Sequence, residues 1–360
     1  ASIPARQAVV NQAQALVTRM QTMDNRIEEI RDGVNTGIRL TVDNINAQAN
    51  KIAELNNQIQ QLTLGDQIVP NDLLDQRDQA VLELNKNVKA TVVKQDGNVY
   101  NVFIGNGQSL VLGERALQLA AVPSRDEPQR YAVAYKENNG LFEIPSNAID
   151  GGTLGGLLNF RRDALDVAQN ALNRIAIGFA QSMNAQHLLG VDINGAPVAS
   201  KPADQQEFFT IKDFAANLRI PANSKNSPGS LTLKASVVDY IPGTGNLNGY
   251  TQMTNNDYKI ICVSPGNFNI QRQPDNTLMS PVDLTGAALG TTITIAQLTT
   301  GVILDGVKIE VATAGGSVTS DSFMLQPTRG AIGQMLVNVK QPSEVATSSN
   351  IIGKSGVPNT

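Results

Sequence analysis

DGGTLGGLLNFRRDALDVAQNALNRIAIGFAQSMNAQHLLGVDING, residues 150–195, decides how the rest of the chain is read. Asp150, Gly151 and Gly152 break the chain, and the hydroxyl of Thr153 is placed to cap the first turn of a helix. Leu158, Leu165, Leu172 and Phe179 follow at heptad spacing, and Ala168, Ile175, Ala176 and Met183 fill in the same side. Apolar groups at the a and d positions of a heptad form one stripe along one helix face. A stripe of that length needs a second long helix to cover it.

The first sixty residues supply one. Pro4 suits a first helical turn, and no proline follows until Pro70. Val9, Val10, Ala13, Leu16, Val17 and Met20, then Ile27, Ile30, Val34, Ile38, Val42, Ile45, Ala49, Ile52, Leu55, Ile59 and Leu62, recur in steps of three and four. The spacing predicts a helix over 3–63, a rod of roughly 90 Å at about 1.5 Å per residue. Gly33 and Gly37 are the expected points of bending. The polar face is rich in amides: Asn44, Asn46, Gln48, Asn50, Asn56, Asn57, Gln58, Gln60 and Gln61. That face reads either as a solvated strut or as a surface that packs against identical neighbours without charge repulsion.

Residues 65–70 end the rod. Asn71 or Asp72 then caps a short helix carrying Leu73, Leu74, Val81, Leu82 and Leu84. Asp75 and Asp78 lie near Arg77 and read as capping and salt-bridge residues, because no histidine or ligand cluster accompanies them for acid–base work. From Val88 the period changes to two. Strands at 91–93, 99–104, 109–112, 131–135 and 141–144 are separated by turns at Asp96-Gly97, Gly105-Asn106-Gly107 and Asn139-Gly140. Gly190 ends the helix of the opening stretch. Asp192, Asn194 and Gly195 make a turn that lacks the closing glutamate of a calcium loop. Short strands broken by Pro, Gly and Asn, with a polar loop at 242–248, then run to about 325 as a β-sandwich or small barrel. Residues 328–360 return toward the helices, and 351–360 read as a loop. The fold class is therefore α+β, multidomain and elongated. A coiled-coil-like helical bundle (1–87, 151–190 and about 328–360) carries two inserted mostly-β domains, 88–150 and 191–327.

The totals exclude several classes of function. Charged residues are 17% and aromatics 4%, with no Trp, which is poor for a sugar- or ligand-binding surface. A net charge of −4 argues against nucleic acid, and no run of apolar residues is long enough to span a membrane. Cys262 is the single cysteine and His187 the single histidine, so no disulfide, zinc pattern or histidine triad assembles. No catalytic, cofactor or metal site is expected, and His187 reads as structural. No signal peptide is visible in ASIPARQAVV, and the first residue is not Met. A secreted adhesin with a helical stalk is the second reading of this pattern.

The order of motifs resembles the family of hook-associated protein 1, the flagellar protein that joins hook to filament. The residues that carry the resemblance are Asn71, Asp72, Leu73, Leu74, Asp75, Arg77 and Asp78; then Gly152, Leu154, Gly155, Gly156, Leu157, Phe160 and Arg161; then Asn184, Gln186 and His187 with Gly190 and Asp192; and the stretch 321–329. The family likeness covers essentially the whole chain. It implies a structural, non-enzymatic part of the bacterial flagellum, exported by the flagellar type III route and therefore extracellular. Its implied partners are the hook protein, the next hook-associated protein on the filament side, and copies of itself in a ring. An export chaperone would bind a terminal segment. Members carry terminal segments that form an inner coiled-coil tube, so this chain resembles a core fragment and is expected to be monomeric. The residues expected to pack the helices together are Leu158, Leu165, Leu172, Ile175 and Phe179 on one side, with Ile45, Ile52, Leu55 and Ile59 on the other.

Overall fold

Steps of three and four between apolar residues give α1, Ile3–Leu64, one uninterrupted helix. Gly33 and Gly37 do not break it. Gly37 instead lets Leu157 approach, since a Cβ added there would lie 3.1 Å from Leu157 Cδ1. The computed structural model describes residues 2–64, 71–137, 140–238 and 249–349. The expectations for 65–70, for the turn at Asn139, for the loop 242–248 and for the tail 351–360 lie outside those residues. Two compact units divide the chain: Glu28–Asp166, and Ala1–Ile27 with Val167–Thr360. This division cuts across helices, not at the ends of the β inserts.

In the unit 28–166, α2 (Asn71–Asn87) leads into an antiparallel meander of β1 (Ala90–Gln95), β2 (Val99–Ile104), β3 (Gln108–Leu112) and β4 (Arg115–Ala116). A second antiparallel sheet follows, with β5 (Leu119–Pro123), β6 (Tyr131–Glu137) and β7 (Gly140–Glu143). The chain then enters α3, Gly152–Phe160. Val34, Ile38, Val42, Ile45 and Ile52 of α1 share one core with Leu84, Val102, Ile104, Leu154 and Leu158. Burial of each such side chain is worth about 1.5–3 kcal/mol. The start of α3 is fixed by backbone proximity. Gly152 has φ +59°, and a Cβ there would lie 2.4 Å from the carbonyl carbon of Asn87. The expected Thr153 cap does not form. Gly151 occupies the N-cap without a side-chain bond, and the Thr153 hydroxyl donates to Lys86 O at 3.1 Å.

In the other unit, α4 (Asp166–Leu188) packs Ala176, Ile177 and Ala180 into a core with Val10, Ala13 and Val17 of α1. The strands are β8 (Gly190–Val191), β9 (Phe209–Thr210), β10 (Thr232–Val237), β11 (Asp257–Ser264), β12 (Asn267–Gln273), β13 (Thr277–Met279), β14 (Thr292–Thr294), β15 (Val302–Leu304), β16 (Val307–Thr313), β17 (Ser322–Leu325), β18 (Leu336–Val337) and β19 (Ser348–Ser349). One antiparallel sheet runs β10-β16-β15; another runs β13-β12-β11-β17, with β14 on β12. Both feed the same core through Leu233, Ile309, Ile260 and Phe323. Residues 328–349 do not return as a rod helix. After a short helix, Ala331–Gln334, they supply β18 to β9 and β19 to β8. Pro342 opens a 3-10 turn there, and no helical period survives around it.

The helix of the opening stretch is continuous through α3 and α4, but its middle is a π turn, Arg161–Leu165. A π turn holds one residue more than an α turn, so every face beyond it is displaced by one position. The buried residues after it are Gln169, Asn170, Asn173, Ala176, Ile177, Ala180, Asn184 and His187. Heptad counting instead selects Leu172, Ile175 and Phe179. Leu172 is half-buried, whereas Ile175 is 61% exposed and Phe179 40% exposed. Ile175 therefore does not belong to the packed stripe, and Phe179 belongs to it only through its ring contact with Phe209.

Candidate functional site

The candidate functional residues of this chain are polar side chains on buried helix faces, and they fasten β segments to helices. In a sheet, a strand's free edge is satisfied by another strand; here helix asparagines take that place. Asn46 accepts from Leu119 N at 2.9 Å and donates to Leu119 O at 2.8 Å. Asn35 accepts from Tyr131 N at 3.0 Å and donates to Gln129 O at 2.9 Å. Asn56 accepts from Tyr100 N at 3.0 Å and donates to Tyr100 O and Gly113 O, both at 2.7 Å. A side-chain amide offers one donor and one acceptor side by side, as a peptide group does. The amides of α1 thus have a role that neither the solvated-strut nor the inter-subunit reading gave them: Asn35, Asn46 and Asn56 hold β6, β5 and β2 of their own chain.

Arg77 of α2 joins this system. It is 1% exposed, donates to Asn98 O at 2.6 Å and to Asn56 Oδ1 at 3.2 Å, and lies 3.4 Å over the Tyr100 ring. Asp78 accepts from the Tyr100 hydroxyl at 3.1 Å. Asn71, Asp72 and Asp75 are exposed, and Leu73 and Leu74 are half-buried. Of the first motif, then, Arg77 and Asp78 hold the β2 turn.

The second motif also splits. Leu154 and Gly155 are buried, Leu157 is half-buried, and Gly152, Gly156 and Phe160 are exposed. Arg161 is buried and donates to Tyr131 O at 2.6 Å. Burial, then the charge of Arg130, pulls its guanidinium down to about 10, against the opposing pull of Asp166 and Glu127. Beside it, Asp166 pairs with Arg31 at 3.0 Å and Arg130 at 2.9 Å, and Arg130 pairs with Glu127 at 3.1 Å. This cluster ties α1, the residues before β6 and the π turn together.

On α4 the third motif does the same work. Asn184 accepts from Phe208 N and Phe209 N at 2.9 and 2.8 Å and donates to Phe209 O at 2.8 Å. His187 is buried, edge-on to Phe208, with its ring nitrogens 3.1 Å from Gln206 O and 3.3 Å from Glu344 O. Gln186 is exposed and Gly190 buried. Asp192 binds the amides of Asn194 and Ala196 and pairs with Lys201 at 3.0 Å. Burial raises its pKa, but the Lys201 contact and those two amides outweigh burial and hold the carboxyl low. Of the remaining stripe residues, Leu158, Leu165, Ile45, Ile52, Leu55 and Ile59 are buried.

Sequence reading missed Asn35, Asn170, Asn173 and Asp166. Asn173 accepts from Ile332 N at 3.0 Å, and Asn170 donates to Asp257 Oδ1 at 3.0 Å. A signal existed: Asn35, Asn46 and Asn56 interrupt the α1 stripe almost every third turn, directly after Val34, Ile45 and Leu55. Among the described residues no three His, Cys, Asp or Glu side chains gather where they could hold a metal ion, and no helix is long and apolar enough to cross a membrane.

Long helices whose buried polar groups are spent on fastening β segments define a scaffold class of protein. A family model, the flagellar hook-associated protein FlgK helical domain, matches residues 1–200, and the chain belongs to that family. It is 39% identical over 348 residues to flagellar hook-associated protein 1 of Salmonella typhimurium, covering 96% of this chain and 56% of that protein. For the Escherichia coli protein of the same name the identity is 37% over 348 residues, with the same coverage. The solved flagellar hook junction protein FlgK from Burkholderia pseudomallei superposes with a TM-score of 0.78 at 31% identity, covering 97% of this chain and 57% of that one. The chain thus spans little more than half the length of the relatives it matches.

Proposed function

We propose that this chain is the scaffold region of a structural protein at the junction between flagellar hook and filament, working by subunit packing without catalysis. The observation that carries the reading is the division of labour on α4. Its buried face is spent inside the chain on Asn173, Asn184 and His187, while Val167 and Ile175 stand 47% and 61% exposed. Large apolar side chains left in water on a regular helix mark an interaction face. In the complete protein that face packs against neighbouring subunits in a ring, with the hook protein on one side and the next hook-associated protein on the other. The helical parts, 1–87 and 151–190, carry the axial contacts, and the inserts 88–150 and 191–327 the lateral ones. The family likeness further supports an extracellular location reached by flagellar export, with a chaperone bound to a terminal segment. A deletion mutant of the source organism tests this. It should build hooks, shed flagellin into the medium and bear no filaments; normal filaments in the deletion strain would refute the assignment.

A further inference from the structure

Helix α2 and strand β1 enclose a cleft of about 360 Å³, lined by Asp78, Val81, Leu82, Val92, Lys94 and Tyr100. Its lining is mostly apolar, and Leu82 is 59% exposed within it. Among the described residues, strand β1 is the outer strand of its sheet and pairs on one side only, with β2. Gly105 N donates to Lys89 O, so residues 89, 91, 93 and 95 turn their backbone groups toward β2. Val92 and Lys94 turn theirs away. Ala90 N points the same way and is already taken by Asn85 Oδ1. The two residues that line the cleft with their side chains therefore also present a short, open backbone ladder beside it. Two exposed lysines, Lys89 and Lys94, flank that ladder, and among the described residues neither is ion-paired. The Asp78 carboxylate in the cleft is already engaged by the Tyr100 hydroxyl and adjoins Arg77 in sequence.

Lysine on a free edge also discourages random strand pairing, but a guard of that kind needs no apolar cleft beside it. We propose that the β1 edge and its cleft dock an extended segment of a partner protein that carries a large apolar side chain next to carboxylates. The segment pairs its backbone with Val92 and Lys94. Its apolar side chain enters against Val81, Leu82 and the Tyr100 ring. Its carboxylates meet Lys89 and Lys94, of which Lys94 lies 5.5 Å over the Tyr100 ring and neither is ion-paired among the described residues, on a chain of net charge −4. Strand addition of this kind takes affinity from main-chain bonds and specificity from the adjoining pocket. The site is independent of the junction reading and would stand if that reading failed.

A random dodecapeptide library panned over the immobilised 360-residue chain tests the proposal. Enriched peptides should share an apolar residue flanked by Asp or Glu. They should bind at least tenfold more weakly to Leu82→Ser, to Lys94→Glu and to Val92→Pro, which removes the outward N–H together with the Val92 side chain from the cleft wall. Leu82 and Lys94 are exposed, so thermal melting of the first two variants should match the parent and keep the comparison valid. Failure to enrich a consensus, a basic consensus, or peptides indifferent to all three substitutions would overturn it. So would a concentration-dependent dimer lost in Lys94→Glu, which would give the edge to a second copy of this chain.

Discussion

Asp166 answers two guanidiniums at once, Arg31 at 3.0 Å and Arg130 at 2.9 Å, in a place where its own side chain is 13% exposed and that of Arg31 3%. Removing one partner of a buried ionic group strands the others. Asp166→Ala should therefore cost about 3–5 kcal/mol, read as a shift in the urea midpoint, and Asp166→Asn less because it keeps hydrogen-bond acceptance. The same substitution should also draw Arg161 further down, since Asp166 is one of the two charges that hold its proton on. Asp321 makes the acid-side argument. Burial raises its pKa, but the Ser230 hydroxyl and the amides of Ser227 and Val318 outweigh burial and leave it below the ordinary 3.8. A carboxylate with a depressed folded pKa contributes stability that is present above 3.8 and is lost as pH falls through the folded value. Asp321→Asn should thus lower stability at pH 7 and flatten its fall below pH ~4. An unchanged acid slope in urea titrations at stepped pH would refute the role given to Asp321.

Among elements, α1 shows what periodicity reveals and what it conceals. Its extent was legible, because an apolar residue every third or fourth position leaves no other structure open. The roles of Asn35, Asn46 and Asn56 were not, because a buried amide looks like a surface amide until its backbone partners are placed by tertiary folding. The contrast between Asn56 and Asn57 measures this. Asn56 is 0% exposed and satisfies Tyr100 N, Tyr100 O and Gly113 O, whereas Asn57 is half-exposed on the helix surface and reaches only side chains, Glu114 at 3.4 Å among them. Each buried backbone group left unpaired costs about 1–3 kcal/mol. Asn56→Ala should lose about 3 kcal/mol or more and Asn57→Ala less than about 0.5 kcal/mol, compared by chemical denaturation of the two variants. The π turn was hidden for a related reason. Nothing in FRRDAL announces it, yet it moved the buried face of α4 by one residue and put Ile175 into solvent. Heptad counting fails after such a turn however regular the leucines before it are.

At the scale of the whole molecule, the order of motifs was more informative than any one of them. NDLLDQRD and NAQHLLGVD each mark a join between helix and β segment, Arg77 at β2 and Asn184 at β9, and GGTLGGLLNF marks a join between helices, with Gly152 against the end of α2. Joins constrain both partners at once, so such residues identify a scaffold where core apolar residues, freely exchanged, do not. The returning segment 328–349 escaped the reading because strands of two residues carry no period. What the joins leave over is the outer face of α4, and there the packing proposal can be tried without disturbing the fold. Ile175 is 61% exposed, so Ile175→Asp should change stability by less than about 0.5 kcal/mol and leave the melting temperature of the 360-residue chain where it was. Introduced into the complete protein in the source organism, the same change places a charge in the proposed subunit contact, where an unpaired buried carboxylate is strongly unfavourable. Cells carrying it should swim poorly and shed flagellin, as the deletion strain is expected to, although the protein is made at normal levels. Wild-type filaments on those cells would remove the α4 face from the assembly.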